Sequence, residues 1–363
     1  MTREPFITRP LSLWLDLVRA LAAFVVLVGH AYQNGLYTGP YPFTIALQLN
    51  AVVVFFVLSG LVIASSSQRE GTSLGSYAAA RIARIVPTAL LALAMSYGVG
   101  LLAQAHGVSA VPIGMDDGNV SWERTLLSAA FLNESLSTGL AINPPFWSLC
   151  YEVWFYALYG AGLFLTGGKR LAWLALMALV AGANVLLLLP AWLAGVWLVR
   201  SPWVLTITPA RGPVYIVLAL TALLSFRRIA PPLEKLLGEL TWWDLGHSHY
   251  ALAYILIAAC IALGFAGLRA VLGDQAGRIA RYSGPIKQAA DMSFTLYVLH
   301  WPLLILLRIA GVSSGSNVLL FALLLGGVAA VCWLVSKLVE QRRQGLRTAL
   351  ERLFTLRGAA LTA

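Results

Sequence analysis

Charge is what this chain is short of. Only 11% of its 363 residues are Asp, Glu, Lys or Arg, against about 25% in a soluble globular domain. A water-soluble fold of this length is thereby excluded, and the mean hydropathy of +0.79 agrees. Cysteine is scarcer still in number. Cys150, Cys260 and Cys332 are far apart and lie in or beside apolar runs. That spacing suits neither a disulfide framework nor a cysteine metal centre, and it reads as buried thiols. Acidic residues number 15 against 25 Lys and Arg, a net charge of +10. No polar segment interleaves basic residues with aromatics, so the surplus points to membrane orientation and not to nucleic acid. No linker, charge block or low-complexity stretch divides the chain, and no appended soluble domain is expected. The N-terminal apolar run is interrupted by Asp16 and Arg19 and lacks a prompt small-residue cleavage site, so it reads as a retained first span.

What the chain has instead is long apolar runs. They are continuous, not alternating, which excludes a β-barrel. Spans are predicted near 12–32, 43–66, 84–105, 147–166, 171–189, 191–207, 213–226, 249–269, 293–311 and 316–338. The fold class is therefore all-α: a polytopic membrane protein of about ten transmembrane helices, in a single domain over 1–363. An even number of spans puts both termini on one side. If that side is the cytoplasm of an inner (plasma) membrane, it collects Arg69, Arg81, Arg84, Lys169, Arg170, Arg269 and the basic tail from Lys337 to Arg357. The outer segments then hold Arg124, Arg227, Arg228 and Lys235, with the Arg227–Arg228 pair the awkward member. The outer segment 106–146 is polar and acidic, with Asp116, Asp117, Glu123 and Glu134, and a short interfacial helix is expected near 123–133.

Ionisable groups inside such spans are costly and mark function. The first span carries Asp16, Arg19 and His30. Eleven residues separate Arg19 from His30, which returns the two to within ~20° of one helix face and about 16 Å apart along it. Imidazole is the side chain best suited to move a proton near neutral pH. Arg81 and Arg84 are i, i+3 neighbours, and guanidinium forks suit phosphates. After Pro144–Pro145, Ser148, Glu152 and Tyr156 fall on one helix face behind Trp147. A carboxylate one turn inside a span is not explained by an aromatic belt. Tyr297 and His300 are i, i+3 neighbours, with Pro302 expected to kink the span just past them. Ser59–Gly60 forms a small-residue notch that reads first as helix packing. Asp244, His247 and His249 lack a further ligand at helical spacing, so no metal is expected.

In order along the chain, Arg19 with His30, FFVLSG at 55–60, RIARIVP at 81–87, WSLCYEVWFY at 147–156 and SFTLYVLHWP at 293–302 resemble the acyltransferase 3 family of integral-membrane acyltransferases. Val339–Glu340 near the end also matches the family. The chain departs from it at Ala80, where a further basic residue often precedes the RxxR pair. The resemblance implies transfer of an acyl group, usually acetyl, from cytoplasmic acyl-CoA to a hydroxyl. The acceptor would be a sugar of a lipid-linked or cell-surface glycan, or a small glycoside. It maps the family's histidine to His30, its first-helix arginine to Arg19, its RxxR pair to Arg81 and Arg84, and the glutamate of WSLxxE to Glu152.

Residue chemistry and resemblance together give His30 and Glu152 catalytic roles, and give Arg19, Arg81 and Arg84 the acyl-CoA co-substrate. Asp16, Ser59, Trp147, Ser148, Tyr156, Tyr297 and His300 become candidate pocket residues. Membrane lipids and the acceptor glycan are the other partners, and the oligomeric state is left open. A lipid-linked sugar transferase is disfavoured because residues 31–43 contain no acid. A proton-coupled exporter or flippase would use an intramembrane His and Glu. It is disfavoured by the absence of a visible internal repeat and by arginine pairs at one mouth.

Overall fold

The computed structural model describes residues 5–41, 45–69, 71–110, 120–136, 139–273 and 277–360. Every regular element among them is helical. The helices are α1 (Arg9–Gln33), α2 (Ile45–Ser67), α3 (Leu74–Ala105), α4 (Trp122–Ala129), α5 (Trp147–Phe164), α6 (Gly167–Arg200), α7 (Gly212–Leu224), α8 (Phe226–Leu240), α9 (Ala251–Leu272), α10 (Ser283–Ile309) and α11 (Val318–Ala360). Seven helices among the described residues are long and apolar enough to cross a membrane, or eight if the bent α7–α8 pair is one span. The sequence count of about ten is thus approximate, for identifiable reasons. The expected spans 171–189 and 191–207 are parts of the one element α6, which breaks at Gly182 (φ 81°, ψ 166°) and not at Pro190. Helix α5 exists, but Trp147, Tyr151, Glu152, Trp154, Tyr156 and Tyr159 dilute its apolar character. The expected span at 213–226 ends at Leu224, and the chain turns by 67° into α8. Arg227 and Arg228 stand at the start of α8, a helix the sequence reading did not foresee because Pro231 and Pro232 lie inside it.

The interfacial helix expected near 123–133 is α4. The acidic pair Asp116–Asp117 lies outside the described residues. Helix α10 runs through Pro302 to Ile309.

The chain forms two compact units, each assembled from separate segments. The first comprises Met1–Gly29, Pro42–Arg69 and Asn184–Ser293. Its helices meet at glycines. Gly60 on α2 faces the carbonyl of Trp192 on α6, and Gly195 on α6 faces that of Val57 on α2, so a Cβ at either would strike backbone. The Trp192 indole Nε1 donates to Ser59 Oγ at 3.1 Å across the same seam. The Ser59–Gly60 notch is therefore a packing device here, as first expected.

The second unit comprises His30–Tyr41, Glu70–Ala183 and Phe294–Ala363. Its α3 starts earlier than hydropathy suggested, because Ser73 and Ser76 form a reciprocal capping box at its N-terminus. Arg81 and Arg84 consequently lie two turns inside the helix and not at its entrance. Helix α5 is seated on the loop that follows α4. Phe131 adopts φ 56°, rare for a bulky residue, and its carbonyl accepts from Cys150 Sγ and Trp154 Nε1, both at 2.9 Å.

Filling the α2–α6 seam should destabilise the first unit. Gly195→Leu is expected to cost about 1–3 kcal/mol, read as a lower Tm of the purified protein. An unchanged Tm would mean that the two backbones do not approach at this glycine.

Candidate active site

His30 closes the last turn of α1, and two side chains hold it there. Its carbonyl accepts from Asn34 Nδ2 at 2.8 Å, and Asn34 Oδ1 in turn accepts from Arg308 Nη1 of α10 at 3.1 Å. The imidazole meets a second imidazole. His30 Nδ1 lies 2.8 Å from His300 Nε2, the rings are parallel within 5°, and Trp301 packs edge-on to His30 at 5.3 Å between centroids. His300 is fully buried, and its Nδ1 lies 2.9 Å from the carbonyl of Leu296.

This chain of contacts fixes the protons of the neutral pair. A carbonyl oxygen only accepts, so His300 Nδ1 carries a hydrogen and donates to Leu296. His300 Nε2 is then a bare acceptor, and His30 Nδ1 must be the donor to it. The remaining nitrogen, His30 Nε2, is left with a lone pair and no proton. A second ring thus sets the first ring's tautomer and orientation, and the nitrogen presented is one that can take a proton or attack a carbonyl.

Two other sequence candidates, Tyr297 and Ser148, are hydrogen-bonded to each other beside this pair. Tyr297 Oη donates to the carbonyl of Pro145 at 3.0 Å, so the 2.6 Å contact with Ser148 Oγ is donated by the serine. Ser148 therefore ties the start of α5 to α10 and does not offer an activated nucleophile. The Tyr297 and His300 rings are 6.2 Å apart. One turn along α5, Tyr156 donates its hydroxyl to Glu152. Glu152 acts electrostatically on Tyr297, while the hydrogen-bond partner of the His30 ring is His300. Trp147 is buried and packs edge-on to Tyr151 at 5.3 Å.

Arg81 lies over the Tyr77 ring at 5.5 Å, with Arg84 and Arg343 near enough to act on its charge. Asp16 and Arg19 belong to the first unit, where they pair at 3.8 Å on α1. That helix is unbroken from Arg9 to Gln33, so the eleven-residue spacing to His30 is a true helical spacing. Ser59 sits in the first unit's packing seam.

Sequence reasoning missed Asn34, Trp301 and Arg343 as neighbours of these groups. It also missed Asn143, fully buried, which donates to Ser96 Oγ and to the carbonyl of Val298, both at 3.0 Å. A polar residue just ahead of Pro144–Pro145 was the available signal. Among the described residues no three His, Cys, Asp or Glu side chains gather as a metal-binding group.

Among the described residues the chain is all-helical, with seven or eight helices able to cross a membrane, and its fold is that of a helical membrane protein carrying an oriented imidazole. The chain belongs to the acyltransferase 3 family: the family's acyltransferase domain matches residues 12–337. No curated protein and no solved structure matches it.

By these contacts His300 sets the orientation and tautomer of the His30 ring. His300→Ala should lower kcat for acyl transfer about 10- to 100-fold, the size of effect typical of partners that orient a functional imidazole. KM should stay within about twofold, and the pH profile should shift. His300→Gln supplies an amide oxygen as acceptor and should recover part of the loss. Equal losses in the two variants, or an unmoved pH profile, would contradict the assignment.

Proposed function

We propose that the protein transfers an acyl group from cytoplasmic acyl-CoA to a sugar hydroxyl. The acceptor is a cell-surface or lipid-linked glycan or a small glycoside. His30 Nε2 removes the hydroxyl proton as the oxygen attacks the thioester carbonyl. The C–S bond then breaks, and the imidazolium returns the proton to the departing CoA sulfur, leaving the ester and free thiol. One observation supports this most: the hydrogen-bond order from Leu296 through His300 leaves the functional nitrogen of His30 unprotonated.

A thioester is activated enough for this step to need only a base and a positioned acceptor. Glu152 and Tyr156 are assigned to acceptor hydroxyls, with Trp147, Ser148 and Tyr297 shaping the pocket wall. Arg81 and Arg84, with Arg19, are assigned to acyl-CoA, a polyanion that guanidinium groups suit. The distribution of Lys and Arg supports an inner (plasma) membrane location with both termini in the cytoplasm.

His30→Ala should leave the protein folded and inserted but without acyl transfer; full activity would sink the assignment. A stable acyl adduct on His30 in the wild type would instead make it the nucleophile. Replacing Arg81 and Arg84 together by Ala should weaken acyl-CoA binding about tenfold or more, and an unchanged affinity would remove their acyl-CoA role. Mass spectrometry of surface glycans and glycosides, with and without the gene, should differ by one acyl group.

A further inference from the structure

Helices α3 and α5 and the start of α6 line a half-open cavity of about 440 Å³ within the second unit. Its wall is almost wholly hydrocarbon and includes Ile82, Ile85, Ala157, Ala161, Trp173 and Met177. Three polar side chains border it: Tyr77, Tyr156 and Arg81. The phenol protons are committed elsewhere, Tyr77 Oη to the carbonyl of Tyr156 at 3.0 Å and Tyr156 Oη to Glu152. Arg81 is different. Its Nε is buried and meets no acceptor among the described residues, and Arg84 and Arg343 add positive charge beside it. A buried guanidinium donor without an acceptor is costly, so the polar end of the cavity is built for a group that arrives with a ligand.

The volume decides what that ligand is. At about 440 Å³ the cavity is roughly three times the ~150 Å³ of an apolar protein cavity that admits benzene. An acetyl methyl would leave most of it empty. The pantetheine arm of CoA carries amides that these walls cannot hydrogen-bond. A hydrocarbon chain suits both the size and the lining. From the cavity's polar edge, polar groups continue through Glu152, which acts on Tyr297, to His300 and its partner His30. We infer that this cavity receives the acyl chain of the donor, that the chain is a medium-length hydrocarbon and not acetyl, and that Arg81 marks the end where the chain meets the thioester. The inference rests on the acyl-CoA reading of the site.

The test is equilibrium binding of acetyl-CoA and octanoyl-CoA to the full-length purified protein. Each methylene buried is worth about fourfold in affinity, so octanoyl-CoA should bind at least tenfold more tightly. Ala157→Leu and, separately, Ile82→Phe fill the cavity and should each cut the octanoyl-to-acetyl ratio by about tenfold, in protein that remains monodisperse. Equal affinities in the wild type would overturn the inference and leave the acyl-CoA reading standing. Binding of neither donor would overturn that reading as well. A copurified phospholipid that octanoyl-CoA fails to displace would assign the cavity to a membrane lipid and contradict the inference.

Discussion

The hydrogen bond between His30 and His300 is the constraint on which the second unit's site depends. An imidazole alone at the end of an apolar helix is free to rotate and to hold its proton on either nitrogen. Here one nitrogen is tied to a second ring, that ring is tied to the carbonyl of Leu296, and Trp301 closes one side. The backbone of His30 is held independently through Asn34 and Arg308. Position, orientation and tautomer are thus set by three different contacts. The arrangement works as the carboxylate does in an Asp–His pair, with a neutral acceptor in place of a charged one. A neutral partner suits a membrane interior, where a carboxylate would carry its own desolvation cost.

The neighbouring polar groups divide into those that build and those that are left over. Ser148, Tyr297 and Pro145 form a closed donor–acceptor chain that seats α5 on α10. Tyr77 is likewise committed to the backbone of α5. The His30 Nε2 lone pair is not used by His300, and Arg81 Nε is one of several buried polar atoms without a hydrogen-bond partner among the described residues. Buried polar atoms are ordinarily paired, so the Arg81 donor is a place for a ligand to supply the missing partner.

Much of the fold was legible in the sequence. The apolar runs that became α1, α2, α9 and α11 needed only length and hydropathy, because an unbroken run in lipid has no alternative to a helix. The start of α3 was not, because the Ser73–Ser76 capping box lies in a polar stretch that hydropathy discards. The break in α6 fell at Gly182 and not at Pro190, since a glycine can leave the helical region where a proline need not. Helix α8, with its two prolines, carried signals of a loop. For the site, His30 stood out as an ionisable group in a span. Its pairing with His300, 270 residues further on, is a tertiary contact that no local pattern encodes. The same holds for the apolar setting of Arg81, whose charge alone suggested an open mouth. Ser59, offered by the sequence both as packing and as a pocket candidate, meets the Trp192 indole across the α2–α6 seam.

The protonation of the imidazole pair tests the account most directly. The chain has only five histidines, so nitrogen-labelled histidine NMR of the protein in bilayers can resolve them. At a pH where both rings are neutral, the account requires His300 and His30 each to carry hydrogen on Nδ1, with His30 Nε2 bare. A His30 ring that carries its hydrogen on Nε2 would contradict it, because the nitrogen assigned as base would already be occupied.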